Sequence, residues 1–138
     1  ILDMAREPLD QVRAMSYVPH ESTFPSTAGD TLEERRAHEL LAIAAMRLVM
    51  EDRLIPASLD VDGLEGLAMR LKAGANVVTS IVPSGCCLAG VASKDLDIEN
   101  QRRSVAAVVR QLGELGLEPA LPGEYRAWIE QRRRGEER

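Results

Sequence analysis

A chain of 138 residues with 45% hydrophobic and 28% charged residues can pack one ordinary domain and does not read as disordered. Its net charge of −5 and its 3% aromatic content argue against a broad nucleic-acid surface and against a base-stacking platform, so no nucleic-acid partner is expected. No apolar run approaches a membrane span, and Ile1-Leu2-Asp3 lacks the basic and apolar regions of a signal peptide; no membrane partner is expected, and the cytoplasm is the default location.

The first residue is not Met, and Ile1 to Glu7 reads as the middle or end of a helix, so we expect an incomplete chain whose N-terminal portion is missing. The first strand is expected over Val12-Arg13-Ala14-Met15-Ser16-Tyr17-Val18, stopped by Pro19. Alternation places Arg13, Met15 and Tyr17 on one face and Ala14 and Ser16 on the other. A loop rich in turn formers, 20–30, follows. Thr31-Leu32-Glu33-Glu34 fits a capping box that opens a helix, with Ala37, Leu41, Ala44 and Leu48 as its apolar stripe.

Arg53-Leu54-Ile55-Pro56-Ala57-Ser58 is the second strand, short and burdened by Pro56, which cannot donate to a ladder. A helix over 64–73 carries Leu64, Leu67, Ala68 and Leu71 in register and meets a natural left-handed stop at Gly74. The third strand, 76–82, is rich in β-branched residues, as a strand buried on both faces would be. After a loop to Asp97, a helix over about 98–115 ends at Gly116, and a last helix over 122–134 carries Tyr125, Trp128 and Ile129 on one side.

Strands alternating with amphipathic helices imply a parallel sheet. Three strands alone would leave two exposed edges. We therefore expect an α/β fold that is the C-terminal part of a parallel (β/α) TIM-type barrel: three βα units over 1–121, an incomplete domain, and a terminal helix with a charged tail over 122–138.

Function in parallel α/β folds gathers at the C-terminal ends of strands, which here means Ser58, Asp60 and the Ser80 to Gly90 region. Ser58 and Asp60 point the same way if the chain stays extended. Arg13 on an otherwise apolar face is costly unless it is paired or binds an anion. Together a guanidinium, a carboxylate and a hydroxyl could hold a zwitterionic amino acid, the arginine forking onto its carboxylate and the aspartate taking its ammonium. The plainer alternative is that Ser58 and Asp60 cap the next helix and Arg13 is a structural ion-pair partner.

His20 and His38 form no metal-ligand spacing with each other or with Cys86 and Cys87. The adjacent cysteines do not make a disulfide framework. Pro83-Ser84-Gly85 lacks the lysine of a phosphate cradle. Arg132-Arg133-Arg134 reads as a solvated helix end.

The segment Arg53-Leu54-Ile55-Pro56-Ala57-Ser58-Leu59-Asp60 is similar to a signature of the methylornithine synthase family, radical S-adenosylmethionine enzymes of pyrrolysine biosynthesis. The resemblance continues through Ala73 to Pro83, Leu88 to Ala92 and Gly116 to Ala120, with Arg13 to Pro19 resembling the earlier strand, and spans roughly 9–121 in order. Related biotin synthase-like barrels share only the looser pattern around Ala73-Gly74-Ala75-Asn76.

That resemblance implies a barrel whose complete form uses S-adenosylmethionine and a 4Fe-4S cluster to convert L-lysine into 3-methylornithine by a radical carbon-skeleton rearrangement. It implies substrate contacts at Arg13, Ser58 and Asp60, and a backbone contact from Val18 to the adenine of S-adenosylmethionine. The family's Cys-x3-Cys-x2-Cys motif does not occur in these 138 residues, and Cys86-Cys87 cannot replace it. Cluster ligands are therefore expected outside this chain, which would need the N-terminal part of the barrel and be inactive alone. Two other readings stand beside this one: a related radical enzyme with another small substrate, and a non-catalytic α/β piece that binds a partner or completes a barrel.

Overall fold

The computed structural model describes residues 1–7, 9–15, 31–60, 62–82 and 103–136. A short 3-10 turn, Met4–Arg6, stands where the opening residues suggested a longer helix. The described elements then run α1 (Leu32–Val49), β1 (Pro56–Ser58), α2 (Gly63–Ala73), β2 (Val77–Thr79), α3 (Val105–Glu114) and α4 (Pro122–Glu136). β1 and β2 pair in parallel, with Pro56 opposite Val77 and Ser58 opposite Thr79.

The strand expected over 12–18 is reduced, among the described residues, to one parallel bridge between Gln11 and Leu54; residues 16–18 lie outside the description. Val12 N–H donates to the Leu54 carbonyl and Leu54 N–H to the Asp10 carbonyl, 3.0 Å each. Beyond that point the Leu54–Ser58 stretch directs its bonding toward β2. The alternation still holds: Val12 is buried, Ala14 is partly buried, and Arg13 and Met15 are exposed.

β2 is also shorter than expected. It stops at Thr79 because Ser80 takes φ +65°, the left-handed region that extended strands cannot contain. At its start, Asn76 locks the two strands together: its side-chain oxygen accepts from Ile55 N–H at 2.7 Å, and its amide donates to the Arg53 carbonyl at 3.3 Å.

The capping box at α1 forms as the sequence predicts. Glu34 N–H donates to Thr31 Oγ1 at 3.2 Å, and Thr31 N–H donates to Glu34 Oε2 at 2.7 Å. The buried face of α1 is a different one from the expected stripe. Leu41 and Leu48 are exposed, while Glu39, Ile43 and Met46 turn inward, with Met50 at the C-cap. A glutamate at the head of the seam disguised it as polar.

Glu39 is tolerated there because α2 supplies Arg70, only 2% exposed. Arg70 Nε and NH2 donate to the two Glu39 oxygens at 2.8 and 3.0 Å, and NH2 also donates to Asp62 at 2.8 Å. Arg36 of α1 donates to the other Asp62 oxygen at 2.8 Å. A forked pair of this kind fixes the register of two helices where apolar packing alone would allow sliding. Around it Ile43, Ile55, Ala57, Leu59 and Leu67 form the almost wholly buried core between the helices and the sheet.

α2 ends as expected at Gly74, with φ +116°. Its conformation is not the only reason for glycine: a Cβ there would come within 2.7 Å of Arg47 Cβ. Gly116, φ +70°, ends α3 in the same manner. On α3, Val108 and Leu112 face the core, whereas Val105 and Val109 stay exposed beside a groove of about 450 Å³ that Val78 and Ile81 also line.

Candidate functional site at the carboxyl ends of the strands

Ser58 is the last residue of β1, and Asp60 lies in the turn that follows. Neither caps α2. That helix starts at Gly63 with Asp62 in the capping position, and no side-chain capping bond is made there. Instead Asp60 N–H donates to Ser58 Oγ at 3.3 Å, curling the turn so that the carboxylate folds back over the strand end.

Asp60 is the centre of the arrangement. Its Oδ2 accepts from Ser58 Oγ at 2.8 Å and from Ser80 Oγ at 2.6 Å. Ser58 and Ser80 oxygens lie 3.2 Å apart, but each hydroxyl has one proton, and both protons are committed to Asp60. The left-handed turn at Ser80 is what places its hydroxyl there. Backbone strain at a site that binds or reacts is a recurring pattern.

Two guanidinium groups flank the carboxylate. Arg103 NH2 donates to Oδ1 at 2.9 Å, and Arg13 NH2 stands 3.6 Å from Oδ2. The two differ in setting: Arg103 is 4% exposed, Arg13 37% and Asp60 itself 41%. Burial pushes the Asp60 carboxyl upward, yet the bonds from Ser80, Ser58 and Arg103 outweigh it and hold the group below the ordinary carboxylate range. The result is an anion with one sheltered side and one open side, facing a solvent-exposed cation. Such a pair can take a zwitterion, the carboxylate replacing Asp60 at Arg13 and the ammonium replacing Arg13 at Asp60.

No protein-family model matches the chain. The chain is 42% identical over 118 residues to 3-methylornithine synthase of Methanosarcina barkeri, a match that covers 86% of the chain and 33% of that protein. It is 43% identical over 116 residues to the enzyme of the same name from Methanosarcina acetivorans, covering 84% of the chain and 32% of the relative. A crystal structure of methylornithine synthase (PylB) superposes with a TM-score of 0.69 at 41% identity, covering 86% of the chain and 34% of that structure.

The chain resembles 3-methylornithine synthase. It spans about a third of the length of the curated relatives it matches, a share that fits the C-terminal portion expected from the sequence.

Of the residues that the methylornithine synthase resemblance singled out, Arg13, Ser58 and Asp60 converge on one carboxylate. Val18 lies outside the described residues, as do His20, Cys86 and Cys87. Ser80 fell within the region singled out by the strand-end rule without being assigned a role. Arg103 was missed altogether, and no local pattern marks it: its partner is 43 positions away. Among the described residues, no group of three or more His, Cys, Asp or Glu side chains could hold a metal ion. No described helix is long and apolar enough to cross a membrane.

Two cavities among the described residues lie away from this chemistry. One of about 730 Å³ opens at the opposite pole, between Arg6, Asp52, Arg53 and Trp128, and the 450 Å³ groove lies beside α3; Asp60 lines neither. Converging charge and hydroxyl donors are the better guide to an amino-acid site than volume, because a small zwitterion is recognised at its poles.

Proposed function

We propose that this chain is the C-terminal, substrate-binding part of a radical S-adenosylmethionine lysine mutase that converts L-lysine to 3-methylornithine for pyrrolysine biosynthesis. The observation that carries the reading is the opposition of Arg13 and Asp60, 3.6 Å apart and both partly open, at the carboxyl ends of strands in a chain similar to 3-methylornithine synthase. Arg13 takes the substrate carboxylate. Asp60 takes an ammonium, and Ser58, 4% exposed, fixes the direction in which Asp60 faces.

S-adenosylmethionine and the 4Fe-4S cluster supply the radical chemistry in the complete enzyme, from residues outside those described here. The N-terminal part of a TIM-type barrel is the partner this segment requires. Among the described residues the sheet has two strands plus one bridge, and β2 pairs on one edge only. So small a parallel sheet needs further strands to be stable. The groove bordered by Val78, Ile81, Val105 and Val109 is apolar surface that continuing strands and helices would cover.

Binding of L-lysine to the complete enzyme tests the pocket. Both poles are more than a third exposed, so the low end of the charge-pair range applies, about 2 kcal/mol, or roughly 30-fold. Arg13→Ala and Asp60→Asn are each expected to weaken L-lysine by about that factor. Wild-type affinity in both variants would remove the pocket from these residues.

A further inference from the structure

The Asp60 carboxylate divides its neighbours by side. Oδ2 collects the two serine hydroxyls and faces Arg13, while Oδ1 meets Arg103 alone. Arg103 is nearly out of water, although the carboxylate it holds is not. A guanidinium in that position loses more hydration than one shared bond returns. Its Nε is buried without a partner, so satisfying its own donors does not explain its placement.

The backbone around Arg103 is also fixed. Its carbonyl accepts from Val82 N–H at 2.9 Å, tying it to the chain just beyond β2. The next residue, Ser104, caps α3 by accepting from Ala107 N–H at 3.2 Å. Arg103 is therefore anchored at both ends of its reach, whereas Arg13 is open to solvent.

We propose that Arg103 is a positioning residue for Asp60, clamping Oδ1 so that the carboxylate stays ionised and presents its open side to the ammonium of an amino-acid substrate. This rests on the amino-acid reading of the preceding section. The two arginines then divide the work: Arg13 exchanges Asp60 for the ligand, and Arg103 never lets go.

Among the described residues, the charged groups in contact with Asp60 are Arg13, from the segment after Gln11, and Arg103, at the start of α3. Ser58 and Ser80 are neutral donors. Removing Arg103 leaves Arg13, 3.6 Å away and more exposed, as the one cation in contact among the described residues, so the Asp60 carboxyl rises toward its ordinary value. Affinity for an ammonium then begins to fall at a higher pH than in the wild type.

The test is equilibrium binding of L-lysine to the complete enzyme between about pH 3 and 7, the range that spans carboxylate titration, in Arg103→Met, Arg103→Lys, Asp60→Asn and the Arg103→Met/Asp60→Asn pair. Arg103→Met is expected to bind about tenfold more weakly at pH 7 and to shift the acid fall-off upward by about half a pH unit or more. Arg103→Lys restores the fall-off and most of the affinity, and the double variant binds no worse than Asp60→Asn alone. Wild-type affinity and fall-off in Arg103→Met, or losses that simply multiply in the double variant, would overturn the positioning role. If Arg103→Met does not fold, Arg103→Gln decides: a raised acid fall-off with weaker binding supports the clamp, and wild-type affinity and fall-off overturn it. Wild-type L-lysine affinity in Asp60→Asn overturns the amino-acid reading and this inference with it. A weakened Asp60→Asn beside an unaltered Arg103→Met overturns the role of Arg103 alone.

Discussion

Arg70 and Glu39 face each other across the α1–α2 interface through two near-parallel bonds of 2.8 and 3.0 Å, with both side chains 3% exposed or less. Removing one partner leaves the other charge stranded in the core. Glu39→Ala is expected to cost about 3 kcal/mol, at the low end of the buried-pair range because Asp62 still holds Arg70. Replacing both with methionine should cost less than the single change, since Arg36 remains to hold Asp62. Denaturant midpoints of the complete enzyme check the ordering; a single variant costing under about 1 kcal/mol would contradict it.

Gly66 lies against the same network. A Cβ at this position would collide with Arg70 NH1 and come within 2.7 Å of Asp62 Cβ. Alanine gains about 1 kcal/mol of helix propensity over glycine, but here it would push Arg70 off its carboxylates. Gly66→Ala is therefore expected to lower stability by about 1–2 kcal/mol, seen as a lower melting temperature. A stabilised variant would show that Arg70 swings aside freely.

Ser80 separates conformation from chemistry. Glycine tolerates its φ of +65° at no steric cost, which offsets about 1 kcal/mol of strain. It also removes the 2.6 Å bond to Asp60. Ser80→Gly is expected to melt at the wild-type temperature or above while binding L-lysine about tenfold more weakly, the loss of one charge-assisted bond. Measuring both on one preparation is decisive, and unchanged binding would detach Ser80 from the pocket.

Asp62 sets an acid limit. Burial drives its carboxyl upward, but the bonds from Arg36 and Arg70 outweigh that and hold it below the ordinary 3.8. A carboxyl lowered by folding contributes stability that is fully present above its unfolded-chain value and lost as pH falls through the folded one. Melting temperature should thus drop as pH falls below about 4, and Asp62→Asn should flatten that descent. Curves that run parallel over pH 2–6 would assign the acid limit to other groups.

What the sequence discloses here is what is local. The Thr31–Glu34 capping box and the glycine stops at Gly74 and Gly116 need only three or four neighbouring residues, and all of them form. The strand-end rule points to Ser58 and Asp60, and a lone charge on an apolar face points to Arg13; the structure brings the three side chains together. The inward face of α1 was hidden, because Glu39 becomes a core residue only beside Arg70, 31 positions later. Ser80 carries no mark of its left-handed turn, being neither glycine nor asparagine. Arg103 resembles any other arginine until the fold brings Asp60 to it.

The last helix touches the rest of the protein lightly. Apart from Trp128, Ile129 and Arg132, the described faces of α4 are exposed. Arg132 stacks 5.4 Å over Trp128 and reaches Asp10 and Asp52 at 2.7 Å each. Those carboxylates precede the strand starts, at the pole opposite Asp60. Amide hydrogen exchange should accordingly be graded along the strand axis, with α4 opening early and at little cost. Breathing at that lower rim need not disturb the upper one, so a ligand pocket can stay set while its floor flickers.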